Sequence, residues 1–412
     1  MIPRAFPRAG GAVLAMLLIA SAATGAAFHH GGRRGRAHPG STTAFSERGE
    51  RDVQIRVWNT ALAADSVSAI ALGQLAALHL QRAREGGGWN DYLEAEQYAR
   101  RSVALRTNRN GSTAATLANV LLAQHRFAEA QQVAAQLVRR EPDIAQYRAL
   151  LGEASMEIGD YETAGRMFDS LWTERTHLTI AARLSRWAEL HGNVELAKRL
   201  LDSARVAAIG RRDVPKETQA WYELRAGELA VRTGHPRNAR RHFEAALRIE
   251  PNDPRVFAAL ARLALASGNS RDAIRWGDSA IVTMLDPEML GVVGSAYAAR
   301  GDTARASEYF AAMEAAVSTQ QGVFHRAWML QFLDRGVRVN EMLERARAEY
   351  ATRKDIYGAD VLAWALHCAG RDAEAEPYMM AALRLQTQDP LLRRHAETIA
   401  AAIARARVTT EN

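Results

Sequence analysis

The chain has few of the residues that usually build chemical sites. Cys368 is its single cysteine, so the chain can form neither an intramolecular disulfide nor a cysteine-based zinc or iron–sulfur centre. Its sequence contains no glycine-rich phosphate loop, HExxH pair or GxSxG elbow, and its histidines are scattered. We therefore expect no catalytic residues, no metal site and no cofactor, and the chain is predicted not to be an enzyme.

Lysine is also scarce, occurring only as Lys198, Lys216 and Lys354, so the net charge of +7 is carried by arginine. The first 51 residues hold seven arginines against Glu47 and Glu50, a net of +5, which leaves +2 for the rest of the chain. This nearly neutral remainder shows no basic stripe of the kind that follows phosphates. A nucleic-acid partner is therefore not expected.

Proline is rare as well, with 11 residues, and long segments lack the Val/Ile/Thr alternation of strands. Alanine, leucine, arginine and glutamate dominate instead, which favours an almost wholly helical chain. Since 412 residues exceed the size at which one compact core usually stops growing, the chain should contain several domains or a repeat array. The hydrophobic content of 48% is sufficient for a folded core.

The N-terminal segment has the order of a secretory signal. Arg4 and Arg8 precede an apolar stretch of about twelve residues and then small residues, which predicts a signal peptide over 1–27 and an exported, periplasmic or secreted protein. The alternative is an uncleaved anchor in the inner membrane, which would be the only membrane contact. The Gly/His/Arg-rich segment 28–51 is predicted to be a flexible linker.

A repeated unit of about 34 residues follows. In residues 151–171, Gly152 lies in one helix, Gly159 forms a turn, and Ala164 and Phe168 lie one helical turn apart on the next helix. The alanine that opens each second helix recurs at steps of 35, 34, 33, 42, 34, 33, 35 and 34 residues. It stands at Ala95, Ala130, Ala164, Ala197, Ala239, Ala273 and Ala306, is replaced by Glu341, and returns at Ala375.

This pattern resembles the tetratricopeptide repeat, a helix–turn–helix unit of 34 residues. The resemblance implies an all-α, α-α superhelical solenoid of about nine units over residues 52–405. A capping helix over 391–405 and a disordered tail over 406–412 are expected to complete the chain.

The resemblance further implies a non-catalytic scaffold or adaptor of the bacterial cell envelope that binds a protein or peptide in its concave groove. The family pattern places one set of residues in that groove. They are Asn119, Glu153, Arg186, Trp221, Glu228, Arg232, Arg262, Arg326, Asp360 and Trp364. The alternative hypothesis is a structural oligomer or membrane-tethered assembly factor that uses end-on or convex contacts.

Overall fold

The computed structural model describes residues 46–86, 88–319 and 326–410. The predicted signal peptide 1–27, the linker up to residue 45 and the last two residues of the tail lie outside the described residues. The described residues form twenty α-helices, one short 3-10 turn (Trp172–Glu174) and no strand.

The helices have the following bounds: α1 Glu47–Ala64, α2 Ala69–Arg84, α3 Trp89–Leu105, α4 Gly111–Ala123, α5 Phe127–Arg140, α6 Ala145–Ile158, α7 Tyr161–Asp169, α8 Leu178–Leu190, α9 Val194–Ala208, α10 Lys216–Arg232, α11 Pro236–Ile249, α12 Pro254–Ala266, α13 Ser270–Thr283, α14 Pro287–Ala299, α15 Thr303–Thr319, α16 Arg326–Asp334, α17 Val339–Thr352, α18 Ile356–Cys368, α19 Asp372–Leu383 and α20 Pro390–Thr410.

Helices α2 to α19 form nine consecutive helix–turn–helix pairs, which confirms the predicted all-α solenoid. In each pair the even-numbered helix is called here the first helix and the odd-numbered one the second helix. Helix α1 precedes the first pair, and α20 packs against α18 and α19 of the last pair. Because each pair packs mainly on its neighbours, the array buries a continuous core.

The repeated glycine allows the two helices of a pair to approach closely. A Cβ atom on Gly152 would lie 2.9 Å from the ring of Phe168, and one on Gly227 would lie 2.3 Å from Phe243. The repeated alanine is equally enclosed, since Ala164 is fully buried. The phenylalanine therefore fills the space opposite the glycine of its own pair, and any larger residue there would force the helices apart.

The eighth pair, α16 and α17, departs from the repeat pattern, as the sequence indicates. Glu341 stays at the surface and pairs with Arg338 and Arg345 at 2.5 and 3.1 Å. Its neighbours Met342 and Leu343 are buried instead. A charged residue at the alanine position is thus accommodated because different residues of α17 face the core.

Two predicted boundaries are corrected. Helix α1 begins at Glu47, inside the segment 28–51 predicted to be a linker, because the Ser46 hydroxyl accepts a hydrogen bond from the Gly49 N–H at 3.2 Å and caps the helix. The C-terminal helix extends over Pro390–Thr410 and not only 391–405. Most of the predicted tail 406–412 is therefore helical.

Segments almost 200 residues apart contact each other at two places. At the first seam, the α1 residues Glu47 and Arg48 meet Lys216 and Glu250. At the second seam, Arg353 at the end of α17 meets Glu157 at the end of α6, 196 residues earlier. About six units of 34 residues thus complete one superhelical turn, and the next turn lies against it.

No helix among the described residues is long and apolar enough to cross a membrane.

Candidate functional site

The first helices of successive pairs surround an inner channel. Its larger cavity, about 830 Å³, is lined by α2, α4, α6, α8 and α10 together with Arg255 from the start of α12. A smaller cavity of about 350 Å³ continues along α10, α12 and α14 and shares Trp221, Arg225 and Arg255 with the larger one. These two cavities are called the channel below.

Six of the ten sequence-predicted site residues line the channel. Asn119, Glu153, Arg186 and Trp221 line the larger cavity, and Glu228 and Arg262 join Trp221 at the smaller one. All six lie on first helices because the position of the repeat glycine sets which face of the first helix turns inward. The resemblance thus located the surface, while the role of each residue in binding remains a prediction.

Ion pairs connect successive first helices along the channel wall. Arg183 on α8 donates to Glu153 on α6 at 2.7 Å, and Arg262 on α12 donates to Glu288 on α14 at 2.9 Å. The predicted residue Arg232 on α10 does not line either cavity but forms the corresponding link to Glu189 on α8. The charged residues therefore stabilise the array as well as shaping the channel.

Glu189 lies at the centre of the strongest of these networks. Its side chain is 5% exposed and faces three arginines, with Arg186 at 2.7 Å, Arg225 at 3.9 Å and Arg232 in direct contact. Burial alone would raise the pKa of Glu189, but the guanidinium groups of Arg186, Arg232 and Arg225 lower it to about 2. Glu189 is therefore ionised at neutral pH and holds the arginines in place.

The remaining three predicted residues do not reach the channel. Asp360 is fully buried and accepts hydrogen bonds from Arg326 at 2.6 Å and from His395 of α20 at 2.8 Å. Trp364 stacks on His395, with ring centroids 4.0 Å apart, and donates to Asp334 at 2.9 Å. The prediction that Arg326, Asp360 and Trp364 belong to one groove with the other residues is corrected, because α20 covers this part of α18.

Sequence reasoning missed several residues that line the channel, among them Arg183, Arg225 and Arg255. Arg225 follows Trp221 by four residues and Arg183 precedes Arg186 by three, so both pairs share a helix face. Extending each predicted position by one helical turn would have found these two. Arg255 lies near the N-terminus of α12 and bridges to Glu217 of α10 at 2.7 Å, a contact that no spacing indicates.

A group of potential metal ligands lies between α2 and α3. His79, Asp91 and Glu94 bring one ligand atom each within 4.8 Å of one another. The Nε of Arg82, however, donates to Asp91 at 2.7 Å, and His79 Nδ1 lies 3.0 Å from the same carboxylate. The arginine supplies the positive charge that the carboxylates need, so the group forms a compensated hydrogen-bonded cluster.

The helix pairs, their glycine–phenylalanine packing and their inner channel define an α-α solenoid of a protein-binding class. Two family models, both described as tetratricopeptide repeat, match residues 116–171 and 230–280. The chain is therefore a tetratricopeptide-repeat protein, a family whose members are typically non-catalytic. No sequence among curated proteins matches the chain significantly.

Solved structures show the same fold at low sequence identity. The human IFIT1 dimer with PPP-AAAA superposes with a TM-score of 0.52 at 15% identity, covering 77% of this chain and 73% of that one. The Cut9–Hcn1 assembly of the APC/C gives a TM-score of 0.46 at 12% identity, covering 85% and 73%. A tetratricopeptide-repeat protein from Parabacteroides merdae gives 0.40 at 15% identity, covering 59% and 92%.

Proposed function

We propose that this tetratricopeptide-repeat scaffold is a non-catalytic adaptor that binds a polypeptide partner in its channel, and that it works in the bacterial cell envelope after export. The repeats themselves indicate a protein-interaction scaffold. The observation that supports the channel as the binding surface is its combination of an aromatic side chain, Trp221, with arginines at an enclosed, concave position. Aromatic and arginine residues in such pockets contribute a large share of interface energy.

The balance of charge favours polypeptide over nucleic acid. Six arginines line the channel, namely Arg84, Arg183, Arg186, Arg225, Arg255 and Arg262. Five carboxylates accompany them, namely Glu153, Glu157, Glu217, Glu228 and Asp286. Nucleic-acid grooves need unneutralised positive charge to follow the phosphates, whereas a peptide backbone and mixed side chains can bind to paired charges.

The export part of the proposal is supported by the order of basic, apolar and small residues at the N-terminus. Mass spectrometry of the chain from its native host tests it directly. A mature terminus near Phe28 in the envelope fraction is expected, an intact Met1 in a membrane fraction would favour the anchored form, and an intact Met1 in the cytosol would contradict export.

The binding part is tested with alanine variants of the full chain. Trp221→Ala combined with Arg262→Ala should reduce recovery of the bound partner from native envelope extract, while helicity and melting change little. Arg393→Ala combined with Arg394→Ala is the matched control, because both side chains are exposed on α20. Equal recovery with the channel variant and the wild type would contradict the proposal, as would stronger competition by a single-stranded oligoadenylate than by an unfolded polypeptide.

A second function, end-on assembly, is favoured by one feature of α1. Val53 and Val57 are 48% and 59% exposed, four residues apart on one face of the first helix of the described array. Such a face could pack on another copy of the chain. Val57→Asp should then abolish self-association in sedimentation velocity, whereas it should leave a monomeric adaptor unchanged.

A further inference from the structure

The volume of the channel limits what can fill it. One turn of α-helix with its side chains occupies about 500 Å³, given a pitch of 5.4 Å and a diameter of about 11 Å. The larger cavity, about 830 Å³, therefore holds only a few residues of a polypeptide at a time. A folded domain, which needs at least about 40 residues even with stabilising cross-links, does not fit.

The first seam closes the channel wall near its beginning. The carboxylate of Glu47 accepts a hydrogen bond from the backbone N–H of Lys216 at 3.0 Å, at the N-terminus of α10. The N-terminus of a helix favours a negative charge, and Pro215 provides no side-chain cap there. Arg48 adds a second contact to Glu250 at 2.8 Å.

The second seam closes the wall by direct backbone contact. The N–H of Lys354 donates to the carbonyl oxygen of Ile158 at 3.0 Å, and the N–H of Ile356 donates to the Tyr161 hydroxyl at 2.9 Å. Between them lies Gly159, with φ of +85°, where an added Cβ would come within 2.4 Å of the Lys354 carbonyl carbon. This contact leaves no space through which a partner could pass.

The same seam is supported by side chains from three helices. Arg353 donates to the Glu157 carbonyl oxygen at 2.8 Å, and its guanidinium lies 4.6 Å from the ring centre of Phe127. Arg384 donates to the Lys354 carbonyl oxygen at 2.6 Å and covers the ring of Tyr161 at 4.7 Å. The seam therefore opens only when several contacts are lost together.

Building on the proposed function, we propose that the partner bound in the channel is an extended segment of polypeptide carrying both acidic and basic side chains, and that it enters by a free end. Its charged groups complement the paired arginines and carboxylates of the channel, and its slender backbone fits where a folded domain does not. Side entry is blocked at the two seams, so a segment held between two folded domains is excluded unless the second seam opens.

The test uses three fluorescent probes with the full chain. The first is an unstructured polypeptide of about 40 residues made of Gly, Ser, Leu, Lys and Glu, a composition that does not fold. The second is the same polypeptide fused at both ends to ubiquitin, and the third is ubiquitin alone. We expect the first probe to bind, the third not to bind, and the second to associate at least about tenfold more slowly than the first.

Variants of the second seam separate threading from simple affinity. Arg353→Ala and, independently, Arg384→Ala should bring association of the doubly blocked probe toward that of the free-ended one. Arg347→Ala is the control, since Arg347 pairs only with the exposed Glu344 on the same helix α17. If both seam variants unfold, the comparison of the three probes on the wild-type chain still decides the outcome.

Equal association rates for free-ended and doubly blocked polypeptide would overturn this inference, and so would binding of ubiquitin alone or no binding of the free-ended probe. None of these results decides the proposed function, which depends on whether channel substitutions release the native partner. A native partner that is released by Trp221→Ala and yet is folded throughout would leave the adaptor function standing and remove the threading inference.

Discussion

The Nε of Arg353 donates a hydrogen bond to the carbonyl oxygen of Glu157 across 2.8 Å, although 196 residues separate them in the chain. This contact joins the end of α17 to the end of α6 and brings one superhelical turn against the next. The channel is consequently an enclosed space with paired charges. Its properties follow from contacts between distant units as much as from the repeat itself.

Loss of the second seam should appear in hydrogen exchange. Arg353→Ala removes its hydrogen bond to the Glu157 carbonyl, so exchange of peptides containing the amides of Lys354 and Ile356 should accelerate roughly tenfold, as expected when a hydrogen bond to a charged group worth about 1.5 kcal/mol is lost. Arg347→Ala should leave those peptides unchanged. Equal protection in both variants would mean that the seam does not depend on Arg353.

The repeat register is tested at Ala164, which is fully buried between the helices of its pair. Ala164→Arg should destabilise the array by about 1–3 kcal/mol from overpacking, with a further cost from the buried charge. The loss should broaden the thermal transition, because a solenoid can unfold locally. Ala304→Arg, at an exposed position of α15, is the control and should melt like the wild type.

The fold and the location of the channel could be predicted because they depend on local spacing. The steps between Ala130, Ala164 and Ala197 reflect helix–helix packing within neighbouring units, and Gly152 opposite Phe168 repeats that packing. These contacts are close in sequence, so periodicity reveals them.

The two seams could not be predicted in this way. The small rotation between units accumulates over about six of them before Arg353 reaches Glu157, and no short-range pattern records that sum. The covering of Trp364 by His395 was missed for a related reason, since the sequence of α20 does not reveal which face of α18 it packs against. The Glu47 cap on Lys216 also depends on this accumulated rotation.

The network around Glu189 should make stability depend on pH. The pKa of Glu189 is lowered to about 2 from its ordinary 4.5, so its contribution is complete above about pH 4.5 and is lost as the pH falls toward 2. Glu189→Gln should therefore cost roughly 3 kcal/mol at pH 7, with a difference from wild type that shrinks on acidification.

Chemical denaturation at pH 7 and at pH 3 measures this effect. Glu195→Gln is the matched control, because Glu195 is 73% exposed and pairs only with Lys198 on the same helix. It should change stability little at either pH. A Glu189→Gln penalty that persists unchanged at pH 2 would show that packing and not charge explains the loss.

Trp364 and Trp221 should behave differently when replaced by alanine. Trp364→Ala removes the stacking on His395 and the hydrogen bond to Asp334, so α20 should be released and cut earlier by trypsin within residues 390–410. Partner binding should remain close to the wild-type level. Trp221→Ala should weaken binding by about 2 kcal/mol without changing proteolysis of α20. The reverse outcome would restore Trp364 to the binding surface.

Site-specific photo-cross-linking in the native host tests the central claim most directly. A benzophenone amino acid is placed at Asn119 inside the channel, at Val57 on the exposed face of α1, and at Arg394 on the exposed face of α20. The account predicts that a polypeptide partner is cross-linked from position 119 and not from positions 57 or 394. Cross-links confined to position 57 or 394, with none from position 119, would contradict binding in the channel.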